Sequence, residues 1–134
     1  RALSRALEGS PARDRVGEAP VTWVVADVRD WQPVRTFDVW HDRAAFHFLV
    51  DPDDRQRYWH LVHEAVVPGG HVVIATFAPE GPEQCSGLPV ARYDCDALLD
   101  VMGGGFTFVE SRTEIHTTPA GAVQPFTWVL ARRT

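Results

Sequence analysis

Phe37-Asp38-Val39-Trp40-His41-Asp42-Arg43-Ala44-Ala45-Phe46-His47-Phe48-Leu49-Val50 decides how the chain is read. A short apolar strand, Phe37–Trp40, runs into three ionisable side chains, His41, Asp42 and Arg43. An aromatic segment holding a second histidine, His47, follows at once. Charge and imidazole at the end of a buried strand are costly unless paired or used. In open α/β sheets the carboxyl ends of the strands are also where ligands bind. The stretch therefore predicts both a sheet and a site at its end.

Downstream, Asp51-Pro52-Asp53-Asp54 is a helix start, with a capping acid, a proline at the first helical position and acids at the positive end of the dipole. Tyr58, Leu61, Val62, Ala65 and Val66 then form one apolar stripe at helical spacing. Pro68-Gly69-Gly70 ends the helix, and His71–Phe77 is an apolar strand. Residues 78–93 read as a loop. Asp94–Met102 reads as a helix with Ala97, Leu98, Val101 and Met102 inward, stopped by Gly103-Gly104-Gly105. Phe106–Thr117 and Gln124–Arg133 are long strands joined by the turn Thr118-Pro119-Ala120-Gly121, and they pair antiparallel. Upstream, Val21–Ala26 reads as a buried strand between Pro20 and Asp27, and Asp30–Pro33 as a loop. A short helix over 2–8 and a helical turn through Arg15, ending at Gly17, precede it. Apolar strands alternating with helices predict an α/β fold with a mostly parallel sheet, edged by the terminal antiparallel hairpin.

A length of 134 residues suits one domain, and the net charge of −5 excludes a basic nucleic-acid-tracking or anionic-membrane surface. All 13 basic residues are arginine, which reflects coding bias rather than function. No run is long and apolar enough to span a bilayer, and no signal peptide is visible. Two cysteines, Cys85 and Cys95, do not make a disulfide framework, so a reduced, cytoplasmic setting is the default. The chain opens at Arg1 and its one methionine is Met102. Amino-terminal strands are thus expected to be missing, with 1–134 a single, partial domain.

The order of elements, with four local features, resembles the carboxyl-terminal two-thirds of a class I S-adenosylmethionine-dependent methyltransferase with a Rossmann-like sheet. The features are Val24-Val25-Ala26-Asp27-Val28, Phe37-Asp38-Val39-Trp40, Val67-Pro68-Gly69-Gly70-His71-Val72-Val73 and the closing hairpin. Asp42-Arg43-Ala44 and the proline-rich Pro79-Glu80-Gly81-Pro82 are similar to the thiopurine-methyltransferase-like branch. The family's glycine-rich loop after its first strand and the acidic end of its second are not in the sequence. Gly103-Gly104-Gly105 is no substitute, because it follows a helix.

The resemblance implies S-adenosylmethionine as cofactor and a small-molecule acceptor. It implies that Asp27 accepts from the adenine amino group and that the Val28 amide reaches a ring nitrogen. His41, through its carbonyl, and Asp42 would lie by the cofactor's amino-acid group and reacting methyl. Arg43 would face the substrate or the cofactor carboxylate. The bland alternatives are a solvated Asp27, a capping Asp42 beside a packed His41, and an Arg43 salt bridge to Asp42 or Asp38. From its own chemistry His47, neutral near pH 7, is the candidate proton acceptor, with a half-buried structural histidine as its alternative. Phe46 is assigned to the substrate wall, with core packing as its alternative.

His60, His63 and Glu64 fall opposite the apolar stripe without a third ligand nearby, so no metal is expected. Cys85 reads as an exposed bystander. The expected reaction is methyl transfer to a soft nucleophile such as a thiol, with residues 78–93 as a lid. Alignment and exclusion of water would carry the catalysis. The rival is a truncated, non-catalytic module whose exposed sheet edge at 21–26 binds a partner or a second copy. A nicotinamide-dependent oxidoreductase would need the dinucleotide loop that is absent.

Overall fold

The computed structural model describes Arg15, Gly17, Glu18 and residues 20–134. They fall into two compact units, one ending at Trp31 and one spanning Gln32–Thr134. The helix expected over 2–8 lies outside the described residues.

In the first unit Val21–Ala26 is not a strand. Its apolar side chains are largely exposed, Val24 to 58%. An apolar run becomes a strand only when a neighbour takes up its amides and carbonyls, and among the described residues nothing pairs with this one. The chain then turns, with the amides of Asp30 and Trp31 donating to the Asp27 carbonyl at 3.0 and 2.9 Å.

The second unit holds β1 (Phe37–Arg43), α1 (Pro52–Ala65), β2 (Val66–Phe77), β3 (Gln84–Cys85), β4 (Leu88–Pro89), α2 (Cys95–Met102), β5 (Phe106–Thr117) and β6 (Val123–Arg133). A 3-10 turn, Phe46–Phe48, follows β1. The main sheet has the order β1-β2-β6-β5. β1 and β2 are parallel, whereas β2–β6 and β5–β6 are antiparallel. The mostly parallel sheet expected from the alternation is therefore a mixed one here, because strand neighbours are chosen by non-local packing that an apolar run does not encode.

The register sorts the side chains by face. Trp40 and Asp42 on β1 align with Val72 and Ile74 on β2, and these with Ala131 and Val129 on β6. This face is buried beneath α1 and α2. His41 and Arg43 belong to the other face, in rows that continue through Val73 and Ala75 to Leu130 and Trp128.

Local chemistry fixes both helices. Asp51 caps α1 by accepting from the Asp53 amide at 2.8 Å, and Pro52 occupies the first turn. All five stripe residues are buried. Asp94 caps α2, accepting from the Ala97 amide at 2.8 Å. Leu98 and Met102 are its buried positions, while Ala97 is exposed.

Strand β2 begins at Val66, ahead of the Pro-Gly-Gly break. Phe37 aligns with Val66 and Val39 with His71, so Val67–Gly70 bulges out of the ladder. Gly69 carries φ +81° at this bulge. A β-carbon on Gly70 would lie 2.8 Å from the Asp38 carbonyl oxygen, so only glycine lets β2 approach β1 there.

Candidate functional site

The site is built at the carboxyl end of β1, where alternation sends neighbouring side chains to opposite faces. Asp42 turns inward. It accepts from the amides of Ala45 at 3.0 Å and Phe46 at 3.0 Å, capping the 3-10 turn. It also accepts the Tyr58 hydroxyl of α1, which in turn accepts from Trp40 Nε1 at 2.9 Å. Burial pushes the Asp42 carboxyl above its ordinary range, against the lowering effect of the Tyr58 and amide donors. Tyr58 is pushed up by burial and by the neighbouring carboxylate. Every Asp42 oxygen is thus engaged, and the residue does the capping work weighed against a chemical role.

The turn carries Phe46 and His47 inward too. Phe46 is 0% exposed, its ring 4.8 Å from Tyr58, 5.2 Å from Trp59 and 5.6 Å from Tyr93. It is core, not substrate wall, because the Asp42 cap winds its side chain under the sheet end. His47 is also 0% exposed. Its Nδ1 accepts from the Phe77 amide at 3.3 Å, which assigns the ring proton to Nε2. Nε2 is buried and has no hydrogen-bond partner among the described residues. Burial lowers the pKa to about 4, so the ring is neutral at pH 7. With its lone pair taken by a backbone amide, the ring as placed holds the turn to β2 and is not free to accept a proton.

Outward-facing His41 and Arg43 meet β5 and β6. The Arg43 guanidinium stands 4.5 Å over the Phe126 ring and 3.8 Å from Glu114. Glu114 accepts from Trp128 Nε1 at 3.2 Å, and the His41 ring lies 6.0 Å from that of Trp128. Beside them a recess of about 360 Å³ is lined by Val73, Glu110, Arg112, Glu114, Trp128 and Leu130 among others. Neither the ion pair with Asp42 nor that with Asp38 weighed for Arg43 forms. Glu114 is its partner, a residue the sequence does not single out, because only the β5–β6 register sets Glu114 opposite Phe126.

Ala75, Phe77, Val90 and Phe126 floor this end of the sheet, with Ala44, Phe48, Cys85 and Trp128 packed on them. Cys85 is thus half-buried in β3 rather than an exposed bystander. The segment expected as a lid is fastened, since the amides of Ala91 and Tyr93 donate to the carbonyls of His47 and Phe77 at 2.8 and 3.0 Å. His60 pairs with Glu64 at 3.1 Å, while His63 stacks edge-on to Phe106.

In the first unit Asp27 is exposed. Both its oxygens accept from Arg29, the closest contact being 2.6 Å, and these bonds hold its pKa down to about 2. The Val28 amide donates in none of the hydrogen bonds found among the described residues. A carboxylate followed by a backbone N–H is the acceptor–donor pair that an adenine edge takes, and here Arg29 occupies the carboxylate.

Comparison with known proteins bears on the fold. N-methyltransferase NodS from Bradyrhizobium japonicum, solved with S-adenosylhomocysteine, superposes with a TM-score of 0.63 at 14% identity, over 84% of this chain and 54% of its own. A methyltransferase from Mesorhizobium loti gives 0.67 at 21%, over 91% and 74%. The 1,6-didemethyltoxoflavin-N1-methyltransferase of Burkholderia thailandensis, solved with 1,6-didemethyltoxoflavin and S-adenosylhomocysteine, gives 0.67 at 22%, over 92% and 55%. The fold is that of the S-adenosylmethionine-dependent methyltransferases. No family model and no curated protein matches the chain. The methyltransferase-like chain spans only about half the length of the NodS and Burkholderia structures. Among the described residues no helix is long and apolar enough to cross a membrane.

Proposed function

We propose that the chain transfers a methyl group from S-adenosylmethionine to a small-molecule acceptor, as an enzyme of the thiopurine-methyltransferase-like branch working in the cytoplasm. One observation carries the reading. In a methyltransferase fold, the carboxyl end of β1 gathers His41, Arg43, Glu114, Phe126 and Trp128 beside an open recess. The cofactor, when bound, supplies an electrophilic methyl on a positively charged sulfur.

The protein's own work is then positioning. Of the first unit, Asp27 and the Val28 amide are the groups assigned to the adenine edge; of the second, the His41 carbonyl is the one assigned to the cofactor's amino-acid group. Arg43, always charged and only loosely paired, orients an anionic or electron-rich acceptor. The aromatic rings exclude water beside it. Asp42 and His47, candidates for chemistry by sequence, serve as positioning residues that fix the turn after β1. A thiol suits such a site, because a sulfur acceptor ionises near neutral pH without a strong base.

Isothermal titration of the chain with S-adenosylhomocysteine tests the reading. Saturable binding weakened at least tenfold in Asp27→Ala is expected. Heats no larger than dilution would remove it. The exposed apolar run at 21–26 favours one competing reading, a non-catalytic module, which predicts that second result.

A further inference from the structure

Strand β5 ends the main sheet, and among the described residues no strand pairs with its outer edge. It is long, Phe106–Thr117, and mostly exposed, with Ile115 at 66%. Such an edge is a template for another strand unless charge or a bulge blocks it. The one bulge, at Val109, lies near the beginning of β5 and leaves Glu110–Thr117 regular. We infer that β5 pairs antiparallel with β5 of a second copy, about a two-fold axis at Thr113, making one continuous sheet.

Charge selects both partner and register. The β5–β6 alignment places Glu110, Arg112, Glu114 and His116 on one face, opposite Leu130, Trp128, Phe126 and Gln124. A two-fold axis through an antiparallel pair sets residue i opposite j and j opposite i. With the axis at Thr113, Arg112 faces Glu114 of the other copy, twice, and Glu110 faces His116, twice. On the other face Ile115 is covered by Ser111, and the two Thr113 side chains meet. Moving the axis by one residue to Arg112 sets Arg112 against itself and Glu110 against Glu114, which like charge disfavours. Moving it to Glu114 sets Glu114 against itself.

Among the described residues the ion pair of Arg112 is with exposed Glu110, at 3.1 Å, and Arg112 itself is exposed. Glu114 and Trp128 line the recess described above, so the pairing brings Arg112 of the second copy to its rim. The inference goes beyond methyl transfer and stands without it.

Analytical ultracentrifugation tests it. A dimer is expected, with self-association at least tenfold weaker in Arg112→Glu and in Glu114→Arg, each checked by circular dichroism. The two variants mixed should dimerise with each other, because one copy then carries acids at both positions 112 and 114 and the other carries arginines at both. Thr113→Cys should cross-link to its own copy under mild oxidation, and Ser111→Cys should not. A wild-type chain that stays monomeric at 100 μM would overturn the inference. So would a dimer indifferent to both charge reversals, or variants that fail to pair when mixed.

Discussion

The carboxylate of Asp42 accepts the hydroxyl of Tyr58, 16 residues further along the chain. One hydrogen bond thus ties the end of β1 to the middle of α1. Because the same carboxylate caps the turn at Ala45 and Phe46, strand, turn and helix share a single buried acceptor. Leaving buried donors unpaired costs roughly 1–3 kcal/mol each. Asp42→Ala should therefore destabilise the fold by about 3 kcal/mol or more, and Tyr58→Phe by about 1–2 kcal/mol. Urea unfolding checks both against exposed Asp100→Ala, expected within about 0.5 kcal/mol of the parent. An Asp42→Ala midpoint equal to that of Asp100→Ala would remove the shared-acceptor account.

His47 makes stability depend on pH. Its folded pKa, about 4, lies below the ordinary 6.5 because burial penalises the charged ring. Between these values the unfolded chain binds more protons than the folded one, so stability rises with pH. The contribution is complete above about pH 6.5 and is lost as pH falls toward 4. A shift of this size corresponds to roughly 3 kcal/mol. Unfolding midpoints across that range should slope upward in the parent and flatten in His47→Gln. Equal slopes would show that the ring titrates as it does in the unfolded chain.

Features legible in the sequence are those whose causes are local. Asp51 and Pro52 announce α1 because capping and ring geometry act within one turn. The hairpin of β5 and β6 is legible because Thr118–Gly121 closes it through its own hydrogen bonds, Gly121 N–H donating to the Thr118 carbonyl at 2.9 Å. His41 and Arg43 stand out because strand alternation sets them on one face. Their partners Glu114, Phe126 and Trp128 depend on the β5–β6 register, which no short pattern encodes. Phe46 and His47 look available in the sequence because their burial follows from the Asp42 cap and the packing of α1. Val21–Ala26 has the composition of a strand, but composition supplies no neighbour to pair with.

Helix α2 leans on its cap. It spans only Cys95–Met102, and Asp94 Oδ1 takes the Ala97 amide at 2.8 Å. A helix this short is marginal by propensity alone. Asp94→Ala should cost about 1 kcal/mol, and Asp94→Asn or Asp94→Ser much less, because each keeps a side-chain oxygen at the N-cap. Thermal unfolding of the three variants checks the order, and equal losses in all three would count against a capping role.

Gly70 and Gly103 separate two reasons for glycine. A β-carbon at Gly70 would lie 2.6 Å from Val66 Cγ1 and 2.8 Å from the Asp38 carbonyl oxygen, so the obstacle is another strand's backbone. At Gly103 nothing lies within 4 Å, and the obstacle is φ +81° alone. Gly70→Ala must push β1 and β2 apart where the bulge of Val67–Gly70 rejoins the ladder, at about 2–3 kcal/mol. Gly103→Ala meets only backbone strain, about 1 kcal/mol. Because β1 carries His41 and Arg43, the Gly70 change should also loosen the site, whereas the Gly103 change, at the end of α2, should not. Hydrogen exchange reads both effects, with faster exchange expected at Val39–Arg43 in Gly70→Ala only. Equal destabilisation by the two variants, with β1 amides still protected, would mean that the strands accommodate the methyl group and that the bulge does not set their approach.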